Sequence, residues 1–66
     1  MKNKTEFLKF IMTLLDSWGG DTPPEVFWGL NEMLEWYSKE YNIIIPMEFD
    51  EDGENANEII KFLEEN

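Results

Sequence analysis

Histidine, cysteine and arginine are all absent from this chain, which removes most routes to catalysis before any fold is considered. Without His or Cys no Ser-His or Cys-His pair can form, and without Arg there is no fork for phosphate or carboxylate. What remains is carboxylate and indole: fifteen Asp and Glu against five Lys in 66 residues, a formal net charge of −10, and three tryptophans. Two carboxylates can divide acid–base work only where their surroundings push their pKa values apart, and the acids here fall on expected solvent faces. No catalytic residue, metal ligand or cofactor is assigned, and the chain reads as a non-enzyme.

The charge is unevenly spread. Lys2, Lys4 and Lys9 stand against Glu6 near the start, whereas Asp16 onward holds fourteen acids against Lys39 and Lys61. The densest run contains Glu48, Asp50, Glu51, Asp52 and Glu54 with no base among them. A field of this sign repels nucleic acid and anionic membranes and speeds encounter with a basic partner. The run also invites a calcium reading, since Gly53 at the sixth position of an EF-hand loop would put Glu48, Asp50 and Asp52 at positions one, three and five. The twelfth position then falls on Ile59, so the bidentate carboxylate is missing. A solvated acidic loop is the simpler expectation.

These groups need elements to hold them. Phe7, Phe10, Ile11, Leu14, Leu15 and Trp18 recur at steps of three and four, which predicts a first helix over residues 3–18 with Trp18 in its apolar face. Asn3 with Glu6 resembles a capping box, and Gly19-Gly20 supplies the stop. Thr22-Pro23-Pro24-Glu25 predicts a second start, with Thr22 as cap and Pro23 in the first helical position. Val26, Phe27, Leu30, Met33, Leu34, Tyr37 and Tyr41 then form one arc, broad enough to meet two neighbours. Ile43-Ile44-Ile45-Pro46 reads as extended chain, because proline disfavours helix in the residue before it. With no second strand to pair with, residues 42–46 are expected to form a buried connector or a brief helical turn. After the acidic loop, a last helix over residues 55–65 faces Ala56, Ile59, Ile60, Phe62 and Leu63 inward, with Asn55 and Glu58 as a further capping box.

The fold class is therefore all-α, a single domain over residues 1–66: three main helices with a short connector between the second and third. At 42% hydrophobic and 15% aromatic, the chain is too apolar for a disordered acidic tail. Its length limits the core and makes its stability marginal. The absence of cysteine rules out bracing by disulfides, and no apolar run reaches a membrane span of roughly 18 residues, so the cytoplasm is the expected compartment.

On the second helix, Trp28 lies among Asn31, Glu32, Glu35 and Lys39, and Trp36 lies beside Glu32 and Glu40. The two rings either cover the rim of a small core or form an exposed aromatic pair ringed by carboxylates, the composition of an interface hot spot. Gly29, on the same side, costs about 1 kcal/mol relative to alanine inside a helix. It marks a close approach by a neighbour or partner, or is merely tolerated.

From Val26 to Leu63 the chain resembles the C-terminal part of acyl and peptidyl carrier proteins. The likeness is carried by the long helix through Met33-Leu34-Glu35 and Glu40-Tyr41, by Asn42-Ile43-Ile44-Ile45-Pro46, by the acidic loop, and by Asn55-Ala56 and Ile59-Ile60-Lys61-Phe62-Leu63. It implies an acidic helical bundle with a phosphopantetheine arm on a serine at the start of the long helix. That place falls at Val26-Phe27 here, while Leu14-Leu15-Asp16-Ser17-Trp18-Gly19 looks like the attachment motif itself and would make Ser17 the cofactor-bearing residue. More loosely, the chain is similar to immunity proteins of nuclease bacteriocins, acidic bundles that bind a basic nuclease. Asp21-Thr22 and Ile45-Pro46 follow their layout, with Ile44-Ile45 where that family has paired tyrosines.

These readings predict a non-catalytic acidic binding protein that neutralises a basic, nucleic-acid-acting protein, as an immunity protein, a phage inhibitor of the anti-CRISPR type or a DNA mimic does. The partner-binding residues expected are Trp28, Glu32, Glu35, Trp36, Glu48, Asp50, Glu51, Asp52 and Glu54. Direct binding to nucleic acid or membrane is not expected, and the chain is a monomer or small homo-oligomer. The alternatives are a carrier-like domain using Ser17 and a structural homo-oligomer subunit.

Overall fold

A computed structural model describes residues 4–65. It contains three helices, α1 (Lys4–Trp18), α2 (Pro24–Tyr41) and α3 (Ala56–Glu65), within 32 × 20 × 18 Å. Among the described residues there is no strand, and no helix is long and apolar enough to cross a membrane. The expected all-α bundle of three helices with a connector is the observed fold.

The core follows the helical periodicity. Phe7 and Ile11 of α1, Phe27, Leu30, Leu34 and Tyr37 of α2, and Ile59 and Leu63 of α3 are buried together with Phe49 from the connecting segment. No polar or charged residue among those described is buried. Phe7 stacks on Tyr37 with ring centroids 4.5 Å apart and planes 12° from parallel, and Tyr41 tilts against Tyr37 at 4.7 Å. Phe27 meets Phe49 at 5.8 Å. Offset and tilted ring pairs of this kind add about 0.5–1.5 kcal/mol each beyond the area they bury.

The helix ends depart from expectation in instructive ways. The cap of α2 is Pro23, not Thr22, and no side chain bonds to the first turn. Pro23 itself precedes a proline, so it is held extended (φ −71°, ψ 153°), and the helix cannot begin before Pro24. At the other end Asn42 takes the left-handed conformation (φ 54°), which asparagine tolerates, and its N–H donates to the Ser38 carbonyl. Asn55 precedes α3, but its side chain does not close a box with Glu58. Its Oδ1 accepts from the Asp50 N–H at 3.0 Å, and its Nδ2 donates to the Glu48 carbonyl at 2.6 Å. The proposed Asn3 cap of α1 lies outside the described residues, and Gly19 (φ 63°) ends that helix as expected.

Burial thins along α1. Leu14 and Leu15 are half-buried, and Trp18, expected in the core, is 46% exposed. The reason is where α1 meets its neighbour: it packs against α3, whose last turn reaches back to Lys4, with Nζ donating to the Glu64 carbonyl at 3.1 Å. The end at Trp18 runs beyond the buried residues.

The connector is extended, as expected, but only half of it is inside. Ile43, Ile45 and Met47 are partly buried and Phe49 fully so, whereas Ile44, Pro46 and Glu48 are exposed, Ile44 at 87%. This is the two-residue alternation of a strand without a sheet. Helix α2 takes the place of the missing partner strand. The Ile43 N–H donates to the Ser38 carbonyl at 3.0 Å, and the Ser38 hydroxyl donates to the Ile43 carbonyl. Asn31 then accepts from the Phe49 N–H at 2.6 Å and donates to the Phe49 carbonyl at 3.0 Å.

Three predictions test this construction. Replacing Asn31 with alanine leaves both backbone groups of Phe49 unmatched and is expected to cost about 1–3 kcal/mol, measured by urea unfolding. Gly53 sits at φ 70°, and a Cβ there would lie 2.2 Å from Phe27 Cζ, so Gly53→Ala combines left-handed strain with a clash and should cost about 2–4 kcal/mol. Burial, and secondarily the neighbouring Tyr41 phenol, raises the Tyr37 pKa above its ordinary value of 10.0. The folded state then holds the phenol proton more tightly than the unfolded chain. The stability this contributes is fully present below about pH 10 and is lost as pH rises through the higher folded value. Unfolding free energy measured against pH should fall more steeply above pH ~10 in the parent than in Tyr37→Phe.

Candidate partner-binding surface

Helix α2 divides its circumference. One side carries Phe27, Leu30, Leu34 and Tyr37 into the core, and the other carries the aromatic and acidic residues singled out from the sequence. Trp28 is 53% exposed and Trp36 is 42% exposed, so each ring presents a large part of its surface to solvent. Gly29, Glu32, Met33 and Trp36 follow one another at helical spacing and line a single open groove of about 330 Å³. Glu25 and Glu40 continue the same stripe one turn beyond each end, by the 3.6-residue period. Trp28 projects into solvent one residue before the groove begins.

A second depression, about 260 Å³, separates α2 from the connector. Its lining includes Glu35 from α2, Glu48 from the connector, and Asn31 and Ser38, which bind the connector at either end. Two carboxylates thirteen positions apart in sequence are thereby brought to one cleft. Glu35 is also paired with Lys39 at 3.3 Å, one helical turn on. Both side chains of that pair are well exposed, which limits its worth to a few tenths of a kcal/mol.

The acidic loop is folded rather than loose. The Gly53 N–H donates to the Asp50 carbonyl at 3.0 Å, and the Glu54 N–H donates to Asp52 Oδ1 at 3.4 Å. Asn55 ties both Glu48 and Asp50 to the start of α3. Phe49, within the acidic run, is buried against Phe27 and anchors the loop from below. Asp50, Glu51, Asp52 and Glu54 are left exposed. Asp52 and Gly53 turn toward the α1–α2 corner, where they line a hollow with Gly19, Gly20 and Thr22. Five of the nine expected residues fall in three separate settings: Glu32 and Trp36 in the α2 groove, Glu35 and Glu48 in the cleft, and Asp52 at the corner, while Trp28, Asp50, Glu51 and Glu54 are exposed outside them. Among the described residues, no group of three or more acids is arranged to hold a metal ion.

Ser17 lies in the last turn of α1, exposed, with its hydroxyl donating to the Leu14 carbonyl at 2.7 Å. It stands at a helix end, whereas the carrier likeness implies a serine at the start of the long helix. The residues that sequence reading missed are Asn31, Ser38 and Phe49. Asn31 had the appearance of one more polar residue on the outer face, and its tie to Phe49 spans eighteen positions, beyond any local pattern. Phe49 was hidden by the acids around it, although an aromatic at alternate spacing from Ile43, Ile45 and Met47 is a usable signal.

Compared with models of known protein families, with curated proteins and with solved structures, the chain matches none of them.

Proposed function

We propose that this chain is a non-catalytic binding protein that neutralises a basic protein partner, one that itself acts on nucleic acid. The observation that carries this reading is the exposure of Trp28 and Trp36 on the acidic side of α2, in a molecule whose net charge is −10. Tryptophan is the residue type most enriched at binding hot spots, and it leaves water at large gain when a partner covers it. Carboxylates around it set the sign of that partner. Glu32, Glu35, Glu48 and the exposed acids of residues 50–54 would occupy phosphate-binding positions on a surface built to hold nucleic acid. The basic side of such a partner is steered by long-range attraction, and the indoles hold it once it has docked.

The test begins with the protein retained by this chain from its producing or host cell. Its association rate should fall steeply as sodium chloride is raised, and duplex DNA should compete with this chain for it. Trp28→Ala with Trp36→Ala should weaken binding by about 30-fold or more while circular dichroism stays that of the parent. Asp50→Asn with Asp52→Asn should act mainly on the association rate. Binding that ignores salt, or that survives Trp28→Ala combined with neutralised Asp50 and Asp52, would sink the proposal.

A further inference from the structure

Gly29 has no use in the fold. It lies in the interior of α2, where glycine is disfavoured relative to alanine, and its backbone is ordinary helix. A Cβ built on it would meet nothing within 4 Å, so no neighbouring element requires its smallness. Gly53 shows the contrast, since there both the backbone and the Phe27 ring exclude a side chain. What Gly29 does is lower the floor of the groove that Trp36, Met33 and Glu32 wall.

We propose that this groove receives one arginine side chain of the basic partner, an inference that rests on the binding reading above. The four residues supply what that side chain needs and little that others need. Met33 and the bare helix backbone at Gly29 accept the aliphatic stem at close range. The Trp36 indole offers a face on which a planar guanidinium stacks. The Glu32 carboxylate accepts hydrogen bonds from the guanidinium fork. Glu25 and Glu40, a turn beyond either end, add attraction of the same sign. A methyl group at position 29 would stand in the path of the stem.

The probe is N-acetyl-arginine methylamide, titrated into the chain of residues 1–66 and followed by amide and indole NMR signals. Its lysine and citrulline counterparts serve as controls. The Gly29 amide and the Trp36 indole N–H are expected to shift saturably with the arginine compound, several-fold less with lysine, and not with neutral citrulline. Gly29→Ala is expected to raise the thermal midpoint by about 4–8 °C, the shift that the lost helix penalty implies for a domain this small. The same variant should weaken arginine binding roughly tenfold or more. Trp36→Leu, which keeps an apolar side chain without the ring, should lose the preference for arginine over lysine. The proposal is overturned by equal responses to arginine and lysine, by shifts confined to residues 48–54, or by unchanged arginine affinity in Gly29→Ala. A lower midpoint in Gly29→Ala would also overturn it, by giving the glycine a structural purpose. If those results come with a partner whose binding still depends on salt and on the tryptophans, the groove assignment alone falls. If the arginine compound binds as expected but no basic partner is retained, the functional reading falls instead.

Discussion

Most of the molecule depends on an unusual pairing, an extended segment whose partner is a helix. Two extended chains can satisfy each other's amides along a ladder, but Ile43–Phe49 has no second strand among the described residues. The main-chain groups of Ile43 and Phe49 are met instead by α2, through the Ser38 side chain and carbonyl at one end and the Asn31 carboxamide at the other. Asn31 bonds both the N–H and the C=O of one residue, as a neighbouring strand does in a hydrogen-bonded pair. That fixes the register of the segment, and with it the burial of Phe49. A shift of one position would turn Phe49 outward and Glu48 inward.

The placement of charge follows from the same arrangement. A core this small cannot absorb a buried carboxylate, because taking an unpaired charge out of water costs more than the fold's whole margin of stability. All fifteen acids therefore stay outside, and the segment reconciles an acidic run with a packed core by alternation. Met47 and Phe49 go in, and Glu48 and Asp50 stay out. Asn55 and the Gly53 turn then draw the following acids into a fixed shape at the top of α3 rather than letting mutual repulsion extend them. Preorganised charge of that kind needs less ordering when a partner arrives.

Three helices and most core positions were legible because a 3.6-residue repeat of large apolar side chains is a local signal. Among the features that were not, two have a clear physical reason. The cap of α2 moved from Thr22 to Pro23 because a second proline restricts the residue before it, a rule that overrides the preference for a hydroxyl. The exposure of Trp18, Trp28 and Trp36 depends on how far the neighbouring elements extend, which no single helix encodes. Trp18 fits the apolar face of α1 by its spacing, yet the buried contacts of that face end before it.

Where a sequence breaks its own local rules without structural benefit, the break points to function. Gly53 violates helix and strand preferences, but a left-handed turn and the Phe27 ring account for it fully. Asn42 is accounted for by its left-handed cap. On the outer side of α2, by contrast, a mid-helix glycine and two exposed indoles sit within nine consecutive residues, and none of the three contributes to the nine buried positions of the core. Each weakens or exposes the fold on its own, and random tolerance does not require them to share one side of one helix. The proposed contact surface would require it, and the surrounding carboxylates would give that contact its sign.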